Sequence, residues 1–111
     1  MVEVLPLVGT ECCSALPAPL DHAQVEQAAA RFKALSDPTR VQLLHLVAGS
    51  GEREACVCDL TDAVGLSQGT VSHHLKTLVQ AGFLERERRG TWAWYRIAPG
   101  AFDAVRRDLE L

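Results

Sequence analysis

The chain is predicted to be mainly α-helical with one β-hairpin near its end, and three observations lead there. Apolar residues recur at helical spacing, for example Val25, Ala28, Ala29, Phe32 and Leu35, and later Val71, Leu75, Leu78 and Val79. Capping and breaking residues punctuate these segments: Asp21, Ser36-Asp37-Pro38, Gly49-Ser50-Gly51, Asp59, Gly65, Ser67, Gly82 and Pro99. Residues 83–97, FLERERRGTWAWYRI, then switch to period two around Arg89-Gly90, with aromatic enrichment and a glycine at the tip.

Residues 1–20 contain Pro6, Gly9, Pro17 and Pro19 and show no period, so they are expected to form a flexible arm carrying Cys12-Cys13. Residues 21–111 form the folded domain. Asp21 caps a helix to about Leu35, and Asp37-Pro38 starts a second. In that helix Val41, Leu44, Val47 and Ala48, widened by Leu43 and Leu46, make it apolar most of the way round. Glu52-Arg53-Glu54 is expected to be a solvated linker. Asp59 is expected to cap a short third helix that ends at Gly65, with Leu66 as a buried turn residue. Ser67 caps a fourth helix that Gly82 stops. Two helices joined by so short a Gly-containing turn make a helix-turn-helix. After the hairpin, Pro99 opens a fifth helix with Phe102, Val105 and Leu109 inward. About five helices and a two-stranded wing are expected.

The fourth helix divides sharply. Its outer face carries Ser67, Gln68, Gly69, Thr70, Ser72, His73 and Lys76, types that hydrogen-bond base edges and phosphates in a major groove. A solvated polar face is the competing reading. His74 falls on the apolar side and is expected to be a packed or hydrogen-bonded histidine. Arg86, Arg88 and Arg89 of the wing are placed to lie over phosphates beside the groove. The formal charge of −3 runs against a nucleic-acid partner, but residues 67–97 hold five bases against two acids. That stretch is therefore basic on an acidic body, which suits one-sided, salt-dependent DNA binding.

The hydrophobic content of 48% and a mean hydropathy near zero suit a soluble single domain. No run approaches a membrane span. The start, MVEVLPLVGTE, lacks a basic segment and has an early proline, unlike a signal peptide, so a cytoplasmic location is expected. Four cysteines there argue for thiol or metal chemistry before structural disulfides. Cys56 and Cys58 chelate from one side if the segment is extended, whereas on a helix they diverge by about 200°. Enzyme chemistry finds no footing. An oxyanion-cradling cysteine needs an arginine six residues on, where Asp62 and Val64 stand, and there is no C-x-x-C.

FKALSDPTRVQLLHLV, CVCDL and LSQGTVSHHLKTLVQAGFLERERRG together resemble the ArsR/SmtB family of metal-sensing winged-helix repressors, over about residues 21–100. The resemblance implies a homodimer with the terminal helices packed across the two-fold. It also implies a double-stranded operator with an inverted repeat, and an inducer that releases it. Arsenite-responsive members are similar in carrying CVCDL before the reading helix, and some have a paired cysteine on the arm. The inducer implied is arsenite or antimonite, bound by three sulfurs among Cys56, Cys58, Cys12 and Cys13, with no organic cofactor. Cadmium, lead or thiol oxidation in the same fold is the alternative. Zinc-sensing members place acids and histidines on the last helix, but GAFDAVRRDLEL has Asp103 and no histidine. Gly69 stands where relatives often carry a larger residue, costs helix stability up to about 1 kcal/mol, and removes one base contact.

Overall fold

A computed structural model describes residues 15–110. Its elements are α1 (His22–Leu35), α2 (Pro38–Gly49), β1 (Glu54–Cys56), α3 (Val57–Val64), α4 (Gln68–Gln80), β2 (Leu84–Arg89), β3 (Trp92–Ile97) and α5 (Ala101–Asp108). Cys12 and Cys13 lie outside the described residues.

The helix ends follow local chemistry. Asp21 accepts the Ala23 N–H at 3.1 Å, and Asp37 accepts the Arg40 N–H at 3.1 Å with Pro38 next to it. Gly82, at φ 88°, turns the chain out of α4: its N–H reaches the Val79 carbonyl, and the Phe83 N–H reaches that of Leu78. This drops Phe83 into the core beside Leu43, Val47, Val71, Leu75, Leu78 and Leu84, all essentially inaccessible to solvent. The expected inward stripe of α4 is therefore the centre of the domain.

The sheet has three strands in the order β1-β3-β2, all antiparallel: the expected two-stranded wing, β2 and β3, is joined on its other side by β1. Glu54 opens β1 rather than closing a linker. Three residues are too few to show a period, and their extended state comes from pairing with β3 far along the chain. Two further expectations are corrected. Leu66 is 41% exposed, and α5 begins at Ala101, with Gly100 in a left-handed conformation as its N-cap, rather than at Pro99.

The terminal helices keep much of their apolar stripe uncovered. Val25, Phe32, Phe102 and Leu109 are all exposed, and the one buried residue of α1 is Ala34. Arg31 of α1 and Asp108 of α5 join these helices by two hydrogen bonds, at 2.6 and 2.9 Å. The hydrogen bond from Arg31 holds the Asp108 carboxyl below its ordinary value. A carboxyl depressed in the fold stabilises it above the unfolded value near about 3.9, and this is lost as pH falls through the folded value. Asp108→Asn is therefore expected to lower the urea midpoint at neutral pH. The gap to wild type should close as the pH drops below the folded value. Urea titrations across that range check this.

Candidate functional site

Ser67 starts α4: its Oγ accepts the Thr70 N–H at 3.2 Å and donates to the Thr70 Oγ1 at 2.9 Å. Gln68, Gly69, Thr70, His73 and Lys76 are exposed and Ser72 is half-buried, opposite the buried Val71, Leu75 and Leu78. Between this face and the hairpin runs an open cleft of about 580 Å³. Gln68, Ser72 and Lys76 line it from the helix, and Arg86, Arg88 and Trp92 from the wing. Among the described residues neither Arg86 nor Arg88 enters a salt bridge.

Arg89 is set apart from this group. It follows Arg88 on the strand, so the pleat carries it to the opposite face. There its two Nη groups donate to both Glu54 oxygens at 3.0 and 2.8 Å, and Nη2 also donates to Glu87 at 2.9 Å. Its guanidinium lies 4.7 Å from the centroid of the Trp94 ring. Arg89 therefore lies apart from Arg86 and Arg88, on the outer face of the sheet. Arg96 completes the outer face, donating to Glu85 at 3.1 Å and Glu87 at 2.8 Å.

His74 is hydrogen-bonded, as expected. Its Nδ1 stands 3.1 Å from Arg40 Nη1 and 3.8 Å from Asp37, while Arg40 also donates to the carbonyls of Ala34 and Lys33. This ties α4 to the α1–α2 corner.

The thiols sit where β1 becomes α3. Cys56, not Asp59, is the N-cap: its extended backbone (φ −85°, ψ 152°) lets Sγ accept the Cys58 N–H at 3.3 Å. Thiols are unusual caps, which is why the acid at Asp59 looked the better candidate. Although the helix already begins at Val57, the non-helical Cys56 brings its sulfur round to that of Cys58. The two sulfurs are in bonding contact, as a disulfide, with the Cα atoms 5.5 Å apart. An Asp59 carboxylate oxygen lies within 4.8 Å of both sulfurs, making Cys56, Cys58 and Asp59 the metal-capable cluster among the described residues. Asp59 is a candidate donor that the sequence alone did not single out, and its adjacency to Cys58 is the signal that points to it. Cys56 is only 4% exposed, but Cys58 is half-buried and Asp59 is open, so the cluster reaches solvent on that side. His22 and His45 stay exposed and contribute nothing to it.

This junction touches both parts of the reading surface. Cys56 pairs with Trp94 on the wing's central strand, and Val57 lines the cleft. Leu60 of α3 shares the core with Val71 and Leu75 of α4.

The model of bacterial regulatory proteins of the arsR family matches residues 37–86. A Mycobacterium bovis protein, described as a homodimeric winged helix-turn-helix DNA-binding domain and a possible ArsR-family transcriptional regulator, has a similar structure. It shares 32% identity at a TM-score of 0.66, over 86% of this chain and 85% of that one. The chain belongs to the ArsR family. Family and fold are those of DNA-binding transcriptional regulators, which are not enzymes. This ArsR-family chain is also 44% identical over 86 residues to an uncharacterised HTH-type transcriptional regulator of Methanocaldococcus jannaschii, covering 78% of this chain and 91% of that protein. Over 68 residues it is 47% identical to the arsenic resistance transcriptional regulator ArsR1 of Pseudomonas putida. That match takes in 61% of this chain but spans only about half (52%) of the Pseudomonas protein. Among the described residues no helix is long and apolar enough to cross a membrane.

Proposed function

We propose that the protein is a homodimeric repressor that binds a double-stranded operator with an inverted repeat and leaves it when trivalent arsenic or antimony binds its thiolates. The observation that carries this reading is the convergence of the Cys56 and Cys58 sulfurs at the foot of both reading elements. The similarity to an arsenic resistance regulator supports it.

The donor set fits the inducer. With the bridge between them reduced, two soft sulfurs on one side suit a thiophilic centre, and a third is available from Cys12 or Cys13 of either subunit. Each cysteine would replace one hydroxide of the trivalent metalloid, its thiol proton leaving with that hydroxide as water. The chain does the rest. Binding would draw on the same Cys56 sulfur that caps α3, which disturbs the first turn of α3 and the last residue of β1 together. A coupling that lowers operator affinity roughly 5–150-fold is of the ordinary size.

On the DNA side, Gln68, Gly69, Thr70, Ser72, His73 and Lys76 meet the major groove, with Ser67 holding the helix start. Arg86 and Arg88 meet phosphates. Dimerisation is supported by the uncovered apolar residues on α1 and α5, which a second copy would cover. A second reading, release by thiol oxidation, is favoured by the bonding contact of the two sulfurs. Cadmium and lead, which favour four sulfurs, complete the comparison. A release assay with arsenite, antimonite, cadmium, lead and peroxide on reduced protein separates these. The proposal expects the two metalloids to act at the lowest concentrations, and it fails if peroxide or cadmium releases the DNA while arsenite does not.

A further inference from the structure

The outer face of the sheet holds a charged cluster that the DNA-reading cleft does not use. We infer that Glu54 and Arg89 are positioning residues that tie the thiol-bearing strand to the wing, so that the state of Cys56 and Cys58 sets where the wing stands over DNA. This rests on the thiol-controlled DNA binding proposed above.

β1 is only three residues long, with Glu54 its first and Cys56 its last. So short an edge strand has few ladder hydrogen bonds to hold it to its neighbour. Glu54 pairs in register with Arg96, yet its carboxylate crosses β3 to grip Arg89 with both oxygens. A two-pronged guanidinium–carboxylate contact fixes orientation as well as distance. Arg89 is the last residue of β2, immediately before the Gly90 turn. Cys56 has a second route to the same guanidinium, because its ladder partner Trp94 is the ring against which Arg89 stacks. Arg86 and Arg88 project from the other face of that strand into the cleft, so a displacement of β2 carries both. The charges of the clamp are firmly held. The hydrogen bond from Arg89 keeps Glu54 below the usual carboxylate range, and those from Arg96 and Arg89 do the same for Glu87.

The test compares two thiol states of the full chain without relying on metalloid. Reduced protein is set against protein bridged between Cys56 and Cys58 by diamide, which takes up the two protons and two electrons. Peptide mass mapping verifies the bridge. The probe is a labelled duplex that the wild type selects from a randomised library. Bridging is expected to change wild-type affinity by a factor in the roughly 5–150-fold range, shrinking below about 3-fold in Glu54→Gln. Reduced Glu54→Gln should keep its affinity with only a modest fall in melting temperature, a separation that a purely structural role would not produce. Arg89→Lys keeps the charge and loses the fork. It should shrink the ratio likewise, and it carries the comparison if Glu54→Gln is unstable.

Wild-type ratios in both variants, or no effect of bridging in the wild type, overturn the inference. A parallel arsenite arm keeps the two ideas apart. Normal arsenite release in Glu54→Gln refutes the clamp and leaves the sensor. An effect of bridging without any effect of arsenite refutes the metalloid reading and leaves the clamp.

Discussion

Replacing Cys56 and Cys58 together by serine is expected to leave a protein that binds its duplex as tightly as the wild type and no longer releases it when arsenite is added. Serine is the right substitution because of what Cys56 does in the fold. Its Sγ caps α3 by accepting the Cys58 N–H, and a serine hydroxyl accepts such a bond at least as well. The extended backbone at position 56 is typical of a serine N-cap. The variant thus keeps the start of α3, and with it the support of α4, while removing both soft ligands. The arsenite-induced change in affinity, roughly 5–150-fold in the wild type, should fall to about 1-fold. Fluorescence anisotropy of a labelled duplex, with and without arsenite, measures both quantities. The single Cys58→Ser variant should lose much of the response too, since Cys56 alone then remains at the junction to join the cysteines of the arm.

The second large effect is on DNA binding itself. Arg86→Ala with Arg88→Ala removes two guanidinium groups that face the cleft and enter no salt bridge among the described residues. A charge-assisted hydrogen bond is worth roughly 1.5–3 kcal/mol and the homodimer loses one at each of four arginines, so the double variant should bind well over about 100-fold more weakly at moderate salt. The slope of log affinity against log salt should fall by about 4, one for each phosphate that the homodimer leaves without its arginine. Stability should scarcely change, because both side chains are exposed. Anisotropy titrations over a salt series give affinity and slope together, and an unchanged slope would place these arginines away from phosphates.

Much of this architecture was written in local chemistry. Asp21, Asp37 and Gly82 end or begin helices through hydrogen bonds to their own neighbours, so their roles are visible in a few consecutive residues. The reading face of α4 was legible because one helical period separates Val71, Leu75 and Leu78 from the polar positions. What stayed hidden depends on distant partners. β1 is extended because β3 pairs with it, and nothing in Glu54-Ala55-Cys56 alone requires that. Arg89 looked equivalent to its neighbours until Glu54 and Trp94 were seen to claim it. The cap at Cys56 was hidden for another reason, since sulfur seldom takes that role. The faces of α1 and α5 are apolar as expected but only partly inward: Phe102 packs its ring against Phe83 while staying partly exposed, and Leu109 lies open in a single chain.

Linkage offers the most direct measurement of whether the thiol junction and the DNA-reading surface share one equilibrium. Any factor by which arsenite weakens duplex binding must equal the factor by which duplex weakens arsenite binding. Arsenite affinity should therefore be determined by calorimetry on reduced protein, once alone and once saturated with duplex. The account predicts weaker arsenite binding to the saturated protein, by the same factor seen in the anisotropy titrations. Equal arsenite affinity in the two titrations would contradict it, since the cysteines would then be binding metalloid without any influence on the helix and wing beside them.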